Sequence, residues 1–225
     1  KESQVKTPVS VIYNGVNLDT FHPSPKRRKD FRRKYKIFDD EIIIGICSRI
    51  APEKGHDTFV KAASLVAPEN RKMRFIIAGD SVFDRNQDFK YKTMLLAKEL
   101  GVDSRIVWTG FVEKTEELYS ALDILVVASK AEPFGRVAIE AGACGIPVIG
   151  TACGGIPEIV QHDLTGILIP AENPVPLAHA IEELAENREK RMKLGRQATR
   201  WIAANFSLTN HVAAVEGLYF QLLGS

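Results

Sequence analysis

From about residue 41 the chain alternates short apolar runs with segments of helical periodicity. The apolar runs are rich in Val, Ile and Leu and show little alternation with polar residues, which is typical of strands buried on both faces of a parallel sheet. The predicted strands are Ile42–Cys47, Arg74–Ala78, Ile106–Thr109, Ile124–Ala128, Val148–Thr151 and Gly166–Ile169. The predicted helices are His56–Ala67, Tyr91–Leu100, Thr115–Leu122, Arg136–Ala143, Ala178–Glu186, Glu189–Asn205 and Thr209–Leu223.

Strand–helix repeats with short links predict an α/β fold, a doubly wound, parallel, six-stranded Rossmann-like sheet with helices on both faces. In such sheets ligands bind beyond the carboxyl ends of the strands, near the point where the strand order reverses. Functional residues are therefore expected in the turns that follow Cys47, Ala78, Ala128 and Thr151.

The two ends of the chain differ from this middle. Residues 1–40 are interpreted as the end of an interdomain linker and an entry segment, with a short strand at Val9–Tyr13 and a basic helix at 26–36. Residues 41–205 form the predicted Rossmann-like domain. Residues 206–225 form a C-terminal helix whose apolar stripe is expected to pack on the domain core. The alternative is that part of this stripe faces a domain outside the sequence.

Composition narrows the function classes. The chain has 45% hydrophobic residues and a net charge of +2, which gives no support for nucleic acid as a partner. The basic run Lys26–Lys29, followed by Arg32, Arg33 and Lys34, is expected to be a solvated helix face, the alternative being a membrane or polyanion contact. Three cysteines without metal-like spacing favour free thiols in a reducing compartment, so the predicted location is the cytoplasm.

The segment Ser129–Glu158 carries the candidate chemistry. It contains two carboxylates, Glu132 and Glu140, and two glycine turns, Phe134-Gly135 and Gly154-Gly155, each before a helical pattern. A helix start offers free N–H groups and a positive dipole end to phosphate. Carboxylates accept hydrogen bonds from hydroxyls. The combination indicates a ligand with both phosphate and polyol groups, such as a sugar nucleotide.

The first predicted strand is followed by two cations instead of the glycine fingerprint of a dinucleotide-binding turn. Arg49 and Lys54 could together neutralise a pyrophosphate leaving group, and the alternative is that both are solvated rim residues. His56, directly after Gly55, is expected to be a rim or helix-capping residue.

The acidic residues of the segment also allow structural roles. Glu140 lies about one turn inside its predicted helix, where its carboxylate could grip two ribose hydroxyls. Glu132 precedes the helix and either faces the sugar or caps the helix. For Glu158 a helix-start role and a ligand contact stay equally open. The glycines 154 and 155 indicate a close backbone approach to ligand or a tight turn, with the ligand favoured.

A series of motifs in one order gives a more specific interpretation. The motifs are NGV (14–16), SRIAPEKGHD (48–57), FIIAGD (75–80), WTGFV (108–112), EPFGRVAIEAGACGIPVIGT (132–151) and GGIPEIV (154–160). With this series the chain resembles the C-terminal, donor-binding half of retaining GT-B glycosyltransferases, in the family-4 hexosyltransferase group (glycosyl transferases group 1). The likeness covers about residues 8 to 205.

The resemblance implies transfer of a hexose from a nucleoside diphosphate, UDP- or GDP-linked, to an acceptor hydroxyl with retention, without a metal or other cofactor. It implies that Arg49 and Lys54 bind the diphosphate, that Glu140 binds the ribose and that Glu132 contacts the donor sugar. The catalytic residues that it implies are Glu132, Arg49 and Lys54. The further donor-binding residues that it implies are Gly110, Phe111 and Val112, which would line the base pocket, and Pro133, Phe134, Gly135 and Arg136.

The resemblance also places the acceptor, a glycan, lipid or small molecule, on an N-terminal domain that this sequence does not include. The 225 residues alone are therefore expected to transfer essentially nothing. A location at the inner face of the membrane is the alternative to free cytoplasm. Two departures from the family pattern, Ser81 in place of glycine and Arg136 in place of an aliphatic residue, leave the donor open. The remaining rivals are a non-catalytic nucleotide-sugar-binding subunit and a GT-B-like epimerase or phosphorylase.

Overall fold

The structure is a computed structural model that describes residues 9–81 and 87–223. In this part of the chain six strands form one parallel sheet in the order β3-β2-β1-β4-β5-β6. The strands are β1 (Ile42–Cys47), β2 (Met73–Ala78), β3 (Ile106–Gly110), β4 (Ile124–Val127), β5 (Val148–Thr151) and β6 (Gly166–Ile169). The predicted doubly wound, Rossmann-like fold is confirmed, with strand boundaries that differ by one residue at β2, β3 and β4.

Helices cover both faces of the sheet. The helices of the described residues are α1 (Pro25–Lys34), α2 (His56–Val66), α3 (Gln87–Glu99), α4 (Thr115–Ala121), α5 (Arg136–Ala143), α6 (Ile156–Ile159), α7 (Pro174–Glu186), α8 (Arg188–Asn205) and α9 (Leu208–Leu223). Ile44 and Ile46 of β1 join the core beneath α2 and α7, whereas Ile43 joins the core beneath α4 and α5. This burial on both faces explains the continuous apolar runs of the sequence.

The strand order reverses between β1 and β4, which are neighbours although two strands separate them in sequence. The carboxyl ends of these two strands are therefore the place where a doubly wound sheet opens a crevice for ligands.

The expected strand at Val9–Tyr13 is wrong. These residues lie outside the sheet, and Val16 makes only an isolated bridge to Ser207. Val9 and Val11 are exposed. The segment runs past the C-terminal part of the chain, since Val16 N donates to Phe206 O at 2.8 Å. It therefore contacts the region between α8 and α9 instead of pairing with an edge strand of the sheet. Residues 1–8 of the expected linker lie outside the described residues.

The basic helix is found at α1, but the expectation that it is simply a solvated face is wrong. Arg32 is 2% exposed, and its guanidinium pairs with Asp123 at 2.8 Å. Arg28 pairs with the same carboxylate at 2.9 Å. Because Asp123 lies just before β4, the two arginines attach α1 to the amino end of the sheet, while Lys26 and Lys29 face solvent.

The expectation that the C-terminal helix packs on the core is also wrong. None of the residues of α9 is buried, and Phe220 is 74% exposed. Its start is anchored by Leu208 N, which donates to Val16 O at 2.9 Å. Among the described residues no helix has the length and apolar character needed to cross a bilayer.

Candidate functional site

A cleft of about 300 Å³ lies beyond the carboxyl ends of β1 and β4. Its floor is formed by the last residues of these strands. Its walls come from two loops, one that joins β1 to α2 and one that joins β4 to α5. The polar and charged side chains among its lining residues are those of Asn14, Ser48, Lys54, Ser129, Glu132 and Arg136.

The loop between β1 and α2 is positioned by Gly55. This residue has a φ of 71°, and a Cβ on it would lie 2.1 Å from the carbonyl oxygen of Ala128. Only glycine permits both the left-handed backbone and such a close approach to the end of β4. The contact brings Lys54, the residue before it, against the loop that follows β4.

Lys54 and Glu132 form the central ion pair of the cleft. Lys54 Nζ lies 2.7 Å from Glu132 Oε2, and the side chains are 15% and 13% exposed. Ser129 Oγ donates to the same oxygen at 3.1 Å. Within the described residues Glu132 Oε1 makes no hydrogen bond, so it can accept one from a ligand hydroxyl. Glu132 does not cap α5, whose cap residue is Gly135 without a side-chain bond.

Arg49 takes a different place from Lys54. It is not among the residues that line the cleft. Its guanidinium lies on the rim, 3.5 Å from Glu53 Oε1, and about half of the side chain is exposed. The structure therefore brings Lys54 to Glu132 without bringing Arg49 into the same contact.

Glu140 lies one turn inside α5, as predicted, and is 8% exposed. The buried hydroxyl of Tyr119 donates to its Oε2 at 2.9 Å, and Arg136 Nη2 donates to its Oε1 at 3.4 Å. Burial raises the pKa of Glu140, and the bonds from Tyr119 and Arg136 oppose that rise. Each oxygen keeps a second lone pair, but Glu140 itself is not among the residues that line the cleft, whereas Arg136, which bonds it, is.

The start of α5 supplies backbone donors. The amides of Phe134, Gly135 and Arg136 make no hydrogen bond within the described chain. Gly135 has a φ of 103°, and a Cβ there would lie 2.6 Å from Ile156 Cδ1. Phe134, Gly135 and Arg136 line the cleft together with Pro133. Free N–H groups at a helix start suit a phosphate or sugar oxygen.

Gly154 and Gly155 have a packing role instead of the favoured ligand approach. A Cβ on Gly154 would lie 1.9 Å from the carbonyl oxygen of Glu132, and Gly155 N donates to that oxygen at 2.9 Å. The two glycines thus hold the loop that carries Glu132. Glu158 accepts a hydrogen bond from the hydroxyl of Tyr13, so its carboxylate already has a partner within the chain.

The residues predicted for the base pocket lie further along the edge. Gly110 ends β3 with a φ of 67°, and its carbonyl accepts from Gly79 N at 2.8 Å. Phe111 is exposed and Val112 is partly buried. They do not line the cleft between β1 and β4, so their role stays a prediction.

His56 is neither a rim nor a capping residue. It is fully buried at the start of α2, with Nε2 3.4 Å from Ser48 Oγ. Burial lowers the pKa of His56 to about 4, so the ring is neutral at pH 7. Tyr119 is a site residue that sequence reasoning missed, because it lies 21 positions before Glu140 in another helix and belongs to an apolar stripe.

The thiols of the described residues are free, with Cys144 buried and Cys47 and Cys153 partly buried. No group of three or more His, Cys, Asp or Glu side chains in the described ranges is placed to hold a metal ion.

The strand order and the cleft define a Rossmann-like domain with a ligand cleft at the switch point of its sheet. The family model glycosyl transferases group 1 matches residues 27–201, and the chain belongs to that family. The expected resemblance to a C-terminal GT-B domain is confirmed.

Solved structures and relatives agree with this membership. The Anabaena protein HepE, solved with UDP and glucose, superposes with a TM-score of 0.87 at 28% identity, covering 93% of this chain and 56% of HepE. The C-terminal domain of a group 1 family protein from Francisella tularensis gives a TM-score of 0.79 at 28% identity, covering 86% of this chain and 100% of that domain. A D-inositol 3-phosphate glycosyltransferase of Mycobacteroides abscessus is 35% identical over 78% of this chain and 39% of its own length. The chain spans about half the length of the curated relatives it matches.

Proposed function

We propose that this chain is the nucleotide-sugar-binding half of a retaining, metal-independent glycosyltransferase that transfers a hexose from a UDP- or GDP-sugar to an acceptor hydroxyl. The observation that carries the proposal is the Lys54–Glu132 pair at 2.7 Å. It stands beside the unbonded amides of residues 134–136, at the switch point of the sheet. A cation, a carboxylate and free N–H groups are what a ligand with a diphosphate and hydroxyls requires.

The charges suggest how the domain would assist the reaction. When the glycosidic bond of the donor breaks, negative charge develops on the diphosphate. Lys54 and the N–H groups at the start of α5 would stabilise that charge, and Arg49 would do so from the rim. These groups would supply the charge stabilisation that other enzymes obtain from a divalent cation.

The two glutamates would orient the donor. The open Oε1 of Glu132 would accept a hydroxyl of the sugar, and Glu140 would accept the ribose hydroxyls from the next turn of α5. Gly110–Val112 would form the base pocket. Support for a nucleotide-sugar donor comes from HepE, whose structure holds UDP and glucose.

The acceptor would bind to an N-terminal domain, as a glycan, lipid or small molecule. Residues 1–40 would then end the interdomain linker, 41–205 would bind the donor, and 206–225 would pack toward that domain. The exposed apolar residues of α9, including Tyr219, Phe220 and Leu223, support this last assignment. We place the protein in the cytoplasm, with contact at the inner face of the membrane as the alternative.

Donor binding can be tested by calorimetry and thermal shift with UDP-, GDP- and ADP-glucose. Ligand at a hundred times its Kd adds about 2.7 kcal/mol of stability. One nucleotide series should bind, and Glu140→Gln should weaken it at least tenfold. The matched control Glu99→Gln, at the exposed end of α3, should bind as the parent chain does. Equal binding of both variants would contradict the proposed site.

Retention and metal independence need the protein with its acceptor domain. The anomeric configuration of the product, read by NMR, should match that of the donor. Turnover should persist in EDTA. An inverted product or loss of turnover on chelation would each overturn its part of the proposal.

A further inference from the structure

A second cavity, of about 680 Å³, lies at the amino edge of the sheet, on the opposite side from the cleft. It is enclosed by the start of α1, by the loops that precede β1, β4 and β5, and by one face of α8. Leu122, Ile146, Pro147 and Met192 give it apolar walls. None of the residues proposed for donor binding lines it, so it is separate from the donor site.

One wall of this amino-edge cavity carries three arginines of α8. Arg188, Arg191 and Arg196 line it, and their spacing places them along one side of the helix. Within residues 9–81 and 87–223 none of the three makes an ion pair.

The acidic side chains of the cavity compensate this charge only in part. Three of the four lining acids are already paired, and their partners lie outside α8. These pairs join Asp123 to Arg28 and Arg32, Asp40 to Lys72 at 3.2 Å, and Glu41 to Arg74 at 3.7 Å. Asp39 alone has no ion pair in the described part of the chain. Three arginines of α8 therefore face one unpaired carboxylate.

Arg191 is the buried member of the wall, at 7% exposure. Its Nη1 donates to Leu184 O at 2.5 Å and to Ala185 O at 3.0 Å, which fixes the guanidinium. Its Nε and Nη2 have no hydrogen-bond partner among the described residues. Burial lowers the pKa of Arg191, and the carboxylate of Asp123, already bonded to Arg28 and Arg32, opposes this only in part. An anion accepting from these nitrogens would further offset the cost of burying the charge.

We propose that the amino-edge cavity binds a small anion with a phosphate or carboxylate group on an apolar body. Arg191 anchors the anionic group, because a guanidinium bonds either group with two parallel N–H donors. Arg188 and Arg196 hold it from the mouth of the cavity. The apolar walls take the body of the ligand.

The test uses phenyl phosphate and benzoate as probes, with phenol as the uncharged comparison, followed by amide NMR of this chain. The isolated Francisella domain shows that a domain of this family can be solved alone. Phenyl phosphate or benzoate should shift amides of residues 144–147 and 188–196, and phenol should bind at least tenfold more weakly. The preferred anion identifies the group that the site takes.

Matched variants distinguish binding in this cavity from binding in the cleft and from nonspecific attraction of the anion to the positive charge of α8. Arg196→Gln should weaken binding about tenfold, and Arg188→Gln combined with it should weaken binding further. Arg200→Gln, an exposed arginine of the same helix that does not line the cavity, should have no effect. Lys54→Met should also leave binding unchanged. These variants spare Arg191, whose bonds to Leu184 and Ala185 support the fold.

Three results would overturn the proposal: shifts confined to the cleft, equal weakening by Arg196→Gln and Arg200→Gln, or phenol binding as tightly as the anions. The donor-binding proposal would stand in each case, since it depends on other residues.

Discussion

Asp123, before β4, and Glu132, beyond its other end, are both carboxylates paired with cations, and their side chains are 12% and 13% exposed. Their surroundings differ. Both oxygens of Asp123 are used, Oδ1 by Arg28 and Oδ2 by Arg32 and by Ile43 N at 2.8 Å. Glu132 receives Lys54 and Ser129 on one oxygen only.

The unused oxygen separates a candidate site from a structural ion pair even though burial and residue types are alike. A saturated carboxylate that bonds the backbone of a neighbouring strand stabilises the fold. A carboxylate with an unused oxygen beside unbonded amides has capacity for a ligand. Variants at the two ends of β4 should therefore change different quantities.

The largest effect is expected for Asp123→Ala. The substitution leaves the buried guanidinium of Arg32 without its carboxylate, and breaking such a pair costs about 3–5 kcal/mol. Urea denaturation should show this loss of unfolding free energy. The control Asp30→Ala removes an exposed carboxylate that pairs with Lys26 and Arg33 and should change stability by less than about 1 kcal/mol. Similar values for the two variants would refute the distinction.

A variant of His56 shows whether a residue at the carboxyl edge of the sheet also contributes to the unfolding free energy. The pKa of His56 is lowered to about 4 by burial, so the folded state favours the neutral ring. The contribution of the neutral ring to the unfolding free energy is complete above the unfolded pKa of about 6.5 and is lost as the pH falls toward 4. The difference between the folded and unfolded pKa of His56 corresponds to roughly 3 kcal/mol of unfolding free energy. His56→Gln should flatten the dependence of unfolding free energy on pH between 7 and 4, and an unchanged slope would contradict this.

The fold and the place of the cleft could be predicted from the sequence because they follow from local patterns. Continuous Val and Ile runs require a sheet buried on both faces, and its switch point fixes the edge where ligands bind. The position of Glu140 within α5 followed from the distance to Gly135 along the chain.

Contacts between distant segments could not be predicted in this way. The basic run of α1 gives no sign that Arg32 is buried, since its partner Asp123 lies 91 residues away. The Gly154-Gly155 pair is typical of a turn that approaches a ligand. In the structure, however, the carbonyl oxygen of Glu132 leaves no room for a side chain at Gly154. The apolar stripe of α9 correctly predicted a helix, but a stripe does not say which surface covers it.

Lys54→Met should weaken donor binding and leave stability almost unchanged, whereas Asp123→Ala should mainly lower stability. The loss of a hydrogen bond to a charged group should cost about 1.5–3 kcal/mol of binding free energy for a nucleotide-sugar, a factor of roughly ten to a hundred in Kd. Stability should change by less than about 1 kcal/mol, because Glu132 keeps Ser129 and access to the cleft. Calorimetry and denaturation measure the two quantities on the same protein. Lys29→Met, on the exposed face of α1, should alter neither.

The smallest predicted effect is that of Tyr119→Phe, which removes the hydroxyl donor to Glu140 Oε2. Donor affinity at pH 8 should fall by about 1 kcal/mol of binding free energy, the value of one hydrogen bond. The bond lowers the pKa of Glu140 against the effect of burial, so its loss should raise that pKa further. The carboxylate would then be protonated at higher pH, and the pH below which nucleotide-sugar affinity declines should move upward. Calorimetric titration across pH measures this shift, and Tyr91→Phe on the exposed side of α3 should leave the profile in place. A uniform loss of affinity without a pH shift would mean that Tyr119 only packs against Glu140 and does not set its charge.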